Sequence, residues 1–309
     1  MEYEEFKYCL VERLRDFYGK DAKVSVTWVR KYNEEGYEGL QIVMTGTEQS
    51  IVPIISLKRF YEEYSSGDID MDGCIGEICR IRDKDGDQKE LQQIAKSIQE
   101  WDFAKDHVYP MLISTSENEK LLKELVSTPM LDLSVVYILR GSESEDTKWN
   151  VKVTKELKDH YGISCQELQE AAMKNLENDN YAFRELEYIL NELFMGSETV
   201  PKGEVEEWEP GKMYILTNSI SKYGAAGILN RKLLGTFAKG HDFYILPSSI
   251  HETIFIPVMD GDDSMKLDRI IKEVNCLMVE AEERLSDHSY FYDGKTGEIR
   301  MCEDTGAGE

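Results

Sequence analysis

Two apolar runs, Phe243–Leu246 and Thr253–Ile256, flank a short polar stretch, Pro247–Glu252, in the segment DFYILPSSIHETIFIP. Aromatic and β-branched residues fill both runs, and Pro247, Ser248 and Ser249 break between them. The pattern predicts a β-hairpin with a longer loop. Near the start of the chain, Phe6, Cys9, Leu10, Leu14 and Phe17 recur at helical spacing, and Gly19 ends the stripe. Val24, Val26 and Trp28 then alternate with polar residues, the period of a half-buried strand. A turn over Asn33–Gly39 leads to a second strand, Leu40–Thr45. A third, Ile51–Ile55, carries Pro53 and so reads as an edge or a bulge. A helix over Leu57–Tyr64 follows.

Ser65–Gly73 marks a break before a long polar helical region, Cys74–Trp101, which Asp83–Asp87 interrupts as a turn. Val108–Ser114 reads as a strand. Ser116 and Glu119 have capping-box spacing ahead of a short helix through Leu121, Leu122 and Leu125. Leu131–Leu139 is an apolar run of strand length, expected at the centre of a sheet, with Asp132 near its end. A charged loop, Gly141–Asp146, separates it from a paired strand at Trp149–Val153. Ser164 and Glu167 repeat the capping-box spacing before Leu168, Ala171, Ala172 and Leu176. Phe183, Leu186, Ile189, Leu190 and Leu193 line the next expected helix. Gly196–Gly211, with two Pro and three Gly, is the linker candidate. A strand at Met213–Thr217, a Gly-Ala-Ala-Gly turn and a helix at Ile228–Ala238 precede the hairpin. Leu267, Ile270, Ile271 and Val274 mark a last helix. His288–Tyr292 and Glu298–Met301 form a second hairpin around DGKTG. The tail EDTGAGE reads as frayed.

The recurrence of hairpins predicts an α+β fold of mostly antiparallel sheets with packed helices. The expected divisions are an N-terminal α+β unit (1–105), a middle strand and helix-pair unit (106–200) and a C-terminal α+β unit (201–309), packed as one or two domains. The C-terminal part, from about Lys212, is expected to hold its own sheet and helix core.

Charge changes the picture. The chain carries 36 Lys+Arg against 60 Asp+Glu, a net charge of −24. Such a chain lacks the basic footprint of a nucleic-acid binder, so no direct binding to DNA or RNA is expected. Acidity of this kind serves solubility, or it forms a surface that mimics nucleic acid and occupies a basic protein. No run approaches the roughly 18 apolar residues that span a bilayer, so no membrane association is expected. The acidic N-terminus, MEYEEFKYCLVERL, is the opposite of a secretory signal. Cys9, Cys74, Cys79, Cys165, Cys276 and Cys302 are scattered as reduced thiols are. Together these features predict a cytoplasmic protein.

Three stretches carry candidate chemistry. Ser248, Ser249, His251 and Glu252 could supply a nucleophile and a base, which makes them the weak catalytic candidates. Hydrolysis would also need an orienting group and an oxyanion hole, and neither Gly-x-Ser-x-Gly nor Ser-x-x-Lys occurs. A loop whose side chains bond its own backbone is the simpler expectation. Asp68, Asp70, Asp72, Gly73 and Ile75 match the first part of a calcium loop. The bidentate Glu of such a loop is replaced by Cys79, so these Asp residues read as a turn before a helix and no metal is expected. Gly224–Gly227 before a helix could cradle a phosphate, but it lacks the Lys-Ser/Thr of a P-loop and the third Gly of a dinucleotide fingerprint. Helix-entry packing is expected there, and no cofactor.

Several stretches resemble one family. They are FYGKDAKVSV, ISLKRFYEEYSSG, VYPMLIS, PMLDLSVVYIL, YGAAGIL, DFYILPSSIHETIFIP and LSDHSYFYDGKTGEI. The chain is similar in these to a family of cytosolic bacterial proteins of unknown function from anaerobic gut Firmicutes. The order from VYPMLIS through ELQEAAMKNL to AAGILNRKLL is similar to a second such Firmicute family. Neither resemblance implies catalytic residues. The expected function is a non-enzymatic protein-interaction module with an acidic surface, acting on a protein partner. The alternatives are a small-molecule-binding protein or hydrolase using the Pro247–Glu252 loop, and a nucleic-acid mimic that binds a basic protein.

Overall fold

The computed structural model describes residues 1–33, 36–46, 52, 54–85, 89–142, 148–189, 204–259 and 264–302. The chain divides into two compact units, Met1–Phe103 and Ala104–Glu309. The fold is α+β, and every strand pair among the described residues is antiparallel.

In the first unit, α1 (Tyr3–Tyr18) lies beside a three-stranded sheet of β1 (Ala22–Val29), β2 (Tyr37–Met44) and β3 (Ile55–Ser56). Phe6, Leu10, Val11 and Leu14 form the buried stripe of α1. Phe17, expected in that stripe, is exposed and packs edge-on to Tyr18. Helices α2 (Leu57–Ser66) and α3 (Met71–Asp85) complete the core with Leu57, Phe60, Cys74 and Ile78. The expected helical region, Cys74–Trp101, comprises three helices: α3, α4 (Lys89–Ser97) and α5 (Trp101–Ala104). Asp83–Asp85 belong to α3 rather than to a turn. Along β1, Val24 is buried whereas Val26 and Trp28 are exposed, so the strand leaves the core along its length.

The second unit holds two sheets. In the first of them, β6 (Leu133–Ser142) is central, between β4 (Val108–Ser114) and the pair β5 (Ser127–Met130) and β7 (Lys148–Lys152). A two-residue turn, Leu131-Asp132, joins β5 to β6, and Leu131 takes the left-handed φ of 56°. The expected capping box at Ser116 does not form. Ser116–Asn118 is a 3₁₀ turn, and Asn118 donates its amide to the Ser114 carbonyl at 2.8 Å. Short helices α6 (Glu119–Leu122) and α7 (Lys155–Tyr161) precede α8 (Cys165–Asn178), which packs on β4 through Leu168, Ala172 and Leu176. The capping box at Ser164 and Glu167 is present, with both reciprocal bonds made.

The larger sheet runs β13-β12-β10-β11-β9-β8. Its strands are β8 (Tyr181–Glu185), β9 (Tyr214–Asn218), β10 (Phe243–Leu246), β11 (Thr253–Pro257), β12 (Tyr290–Tyr292) and β13 (Ile299–Met301). Phe183, expected on a helix, lies in β8 and stacks on Phe237 of α9 (Arg231–Ala238) with ring centres 3.6 Å apart. Its apolar neighbours on that sheet face outweigh the helical spacing. Phe243, Ile245 and Phe255 share this face, whereas Tyr244, Leu246, Ile254 and Ile256 face α10 (Ser264–Met278) and its buried Ile271. The expected hairpin is thus present, with both faces covered. Expectations for Glu34, Glu35, Ile51, Pro53, Asp87, Leu190, Leu193, most of the Gly141–Asp146 loop, the first half of the Gly196–Gly211 linker and the tail lie outside the described residues.

This face assignment predicts a ranking. Phe255→Ala removes a wholly buried ring and should cost about 3–5 kcal/mol in urea denaturation. Ile254→Ala, half-buried against α10, should cost less; the reverse order would show that the faces are misassigned.

Candidate functional site

The Pro247–Glu252 loop is paired along its length. Ser286 donates its N–H to the Pro247 carbonyl (3.1 Å), Leu285 to Ser248 (3.2 Å), and Ile250 donates to Glu283 (2.8 Å). A third segment joins them. Asn218, at the end of β9, holds the following loop by accepting from the Lys222 N–H and donating to the Lys222 carbonyl, at 3.2 and 2.9 Å. Within that loop Ser221 and Tyr223 both take left-handed backbone, at φ 50° and 58°. For residues with a Cβ such conformations are strained and persist only where neighbours impose them.

His251 is one of those neighbours. Its Nδ1 accepts the Tyr223 N–H at 3.2 Å. A nitrogen that accepts carries no proton, so the neutral ring is the Nε2–H tautomer. That Nε2–H donates to Glu283 Oε1 at 3.1 Å. The Tyr223 ring stacks on the imidazole with centres 5.7 Å apart, and the His251 side chain is only 22% exposed. The backbone of His251 is equally engaged. Its N–H donates to Ser249 Oγ (3.0 Å) and its carbonyl accepts from Thr217 Oγ1 (2.9 Å). Gly224 makes this approach possible, because a Cβ there would stand 2.5 Å from the His251 carbonyl oxygen and 2.4 Å from Thr217 Oγ1.

The four candidates therefore come together, but not as a catalytic set. Ser248 and Ser249 are buried. Ser249 Oγ faces the backbone N–H of His251 rather than its ring. Both ring nitrogens are committed, so the imidazole has no lone pair to draw a proton from a serine. Glu252 sits beside them with its carboxyl pushed above the ordinary range, chiefly by burial, while His251 opposes the shift and Glu283 adds to it.

The other candidates have separate duties. Asp70 Oδ1 accepts from Gly73 N–H (2.8 Å) at the start of α3. Asp68 Oδ2 accepts from Ser66 Oγ (2.6 Å), and Asp72 pairs with Arg13 at 2.9 Å. The Gly224–Gly227 stretch is a buried 3₁₀ turn. A Cβ at Gly227 would meet the Tyr181 ring at 2.7 Å, so these glycines serve close packing rather than an open cradle. Sequence reading missed Tyr223 and Glu283, which join His251 across 28 and 32 positions with no local motif, and Asn218, which holds the loop before Tyr223. It also missed the role of Asp132, whose carboxylate accepts from Ser286 Oγ (2.6 Å) and Tyr290 OH (2.5 Å).

The molecule is an α+β protein with a loop cluster tied by partly buried polar bonds. Residues 3–294 match the family of unknown function DUF5688, and the chain belongs to that family. No curated protein and no solved structure matches it.

Two outcomes test this geometry. His251→Ala removes both ring bonds and should cost about 1–3 kcal/mol in urea denaturation, because Tyr223 N–H loses its acceptor. A negligible loss would show that the ring is not a strut. Glu252 has a raised folded pKa, so its protonated form is the better folded. Its contribution is full below the unfolded pKa and is lost as pH rises through the folded one. Glu252→Gln should therefore raise the melting temperature at pH near 7, and the gain should shrink as the pH is lowered into the carboxylate range.

Proposed function

We propose that the protein is a non-enzymatic interaction module that binds a basic protein partner, in the cytoplasm of an anaerobic gut Firmicute. One observation carries the reading: an open aromatic cleft of about 400 Å³ in the first unit, lined by Tyr3, Trp28, Tyr37 and Tyr61 with Glu38, Lys58 and Glu62. Trp28 leaves 53% of its surface exposed there. Trp and Tyr in such settings anchor protein interfaces, since they offer large rigid area at little entropic cost.

The cleft floor is held rigidly. Lys7 and the Tyr3 hydroxyl bond the Glu38 carboxylate, each at 2.9 Å. Burial alone would raise the Glu38 pKa, but these hydrogen bonds hold it below the ordinary value. Tyr3 is pushed up to about 12, by burial first and then by its bond to Glu38. The Glu38 carboxylate therefore stays ionised beside a neutral Tyr3 hydroxyl. Charge complementarity supports a basic occupant, because the chain carries −24. Six free cysteines support a reducing compartment. The alternative of hydrolysis at Pro247–Glu252 draws no support from a histidine whose two nitrogens are already bonded.

The test is capture of partners by the tagged full chain, with and without Trp28→Ala. A stoichiometric basic protein should be retained at about 0.15 M salt and released as the salt rises several-fold. Trp28→Ala should weaken its binding by roughly tenfold or more while shifting stability by less than about 1 kcal/mol. Equal retention by the variant would refute the cleft as the anchor. Turnover of an ester substrate that vanishes in His251→Ala would restore the hydrolase.

A further inference from the structure

A second cleft, of about 540 Å³, lies in the other unit, between the edge strand β8 and the loop that follows β9. Tyr181, Arg184, Glu204, Asn218, Ser219 and Ser221 line it. Its volume falls in the range of small-molecule sites, about 300–1,000 Å³. Most of the lining residues carry a hydroxyl or an amide, with one cation and one anion, and the lining surface is about equally polar and apolar.

The walls are built to stay in place. On one side, Asn218 is 3% exposed and fixes the loop through both ends of its amide. That loop holds Ser221 in a left-handed conformation and brings it and Ser219 to the cleft. Ser219 N–H also donates to the Asn180 carbonyl at 2.9 Å, tying the loop to the base of β8. On the other side, Asp179 pairs with Arg140, with both side chains largely buried, and the Arg140 guanidinium lies 3.9 Å above the Tyr109 ring. Asp179 Oδ1 accepts the Asn180 N–H at 3.0 Å. The Tyr181 ring is backed by Gly227, where a Cβ would clash at 2.7 Å. Backbone strain held by surrounding bonds is characteristic of preorganised ligand sites.

We propose that this cleft binds an uncharged polyhydroxylated molecule, a mono- or disaccharide. The lining decides the class. The Ser219 and Ser221 hydroxyls and the Asn180 amide line the cleft and supply both donors and acceptors, which suits a ligand that carries both on every face. A single arginine beside a glutamate, on a chain of net charge −24, does not favour an anion. A single glutamate beside an arginine does not favour a cation. The site belongs to the second unit, whereas the protein-binding cleft is built from residues 3–62 of the first.

Isothermal titration of the full chain with glucose, maltose and cellobiose, and with inorganic phosphate as the anionic probe, tests the assignment. At least one sugar should bind saturably at millimolar or lower concentration, and phosphate should not. Ala182→Trp places a large side chain at a lining position on β8 and should weaken sugar binding at least about tenfold. If that variant loses its circular-dichroism signature of folding, Ser219→Trp on the loop side replaces it. Absence of saturable binding by all three sugars overturns the proposal. So does equal affinity in a folded cleft-filling variant, or binding of phosphate alone.

Discussion

A backbone N–H on a strained residue organises the loop cluster of the larger unit. Tyr223 is left-handed, and its amide needs an acceptor inside a half-buried site. An unmet donor there would cost about 1–3 kcal/mol. His251 supplies the lone pair, and in doing so fixes its own tautomer and its bond to Glu283. Asn218 holds the other end of the same loop, and Gly224 lets the two loops meet. The cluster is therefore one connected object, in which each member's geometry is set by the next.

This arrangement separates reactivity from function. His251, the base of the candidate loop, is consumed in bonding that loop to the segments that carry Tyr223 and Glu283. What remains open is surface of two different kinds. One cleft, in the first unit, is aromatic with charged groups among its lining; the other, in the second, is lined by hydroxyls and amides. The first suits the desolvated core of a protein interface, and the second suits a ligand recognised through many hydrogen bonds.

Much of the fold was legible from periodicity. VYPMLIS, the runs around β10 and β11, and the Ser164 capping box each carry a local signal strong enough to survive packing. Where reading failed, tertiary context overrode a local pattern. Phe183 has helical spacing to Leu186, yet it pairs opposite Leu216 and joins an aromatic cluster. Ser116 has the spacing of a cap, yet Asn118 turns back to Ser114 and tightens the chain into a 3₁₀ turn. The candidate loop was legible as a polar cluster, but its chemistry was not. The partners that determine the state of His251 lie 28 and 32 positions away, and no spacing rule links residues at such separations. The two clefts were invisible for the same reason, since each is assembled from elements distant in sequence.

The central claim is that His251 is a strut locked as the Nε2–H tautomer. Long-range ¹H–¹⁵N correlation spectra of the imidazole measure this directly. The account predicts an unprotonated Nδ1 and a protonated Nε2 at neutral pH, with the Tyr223 amide proton shifted downfield by its bond to the ring. A ring with Nδ1 protonated, or one that exchanges freely between tautomers, would contradict it.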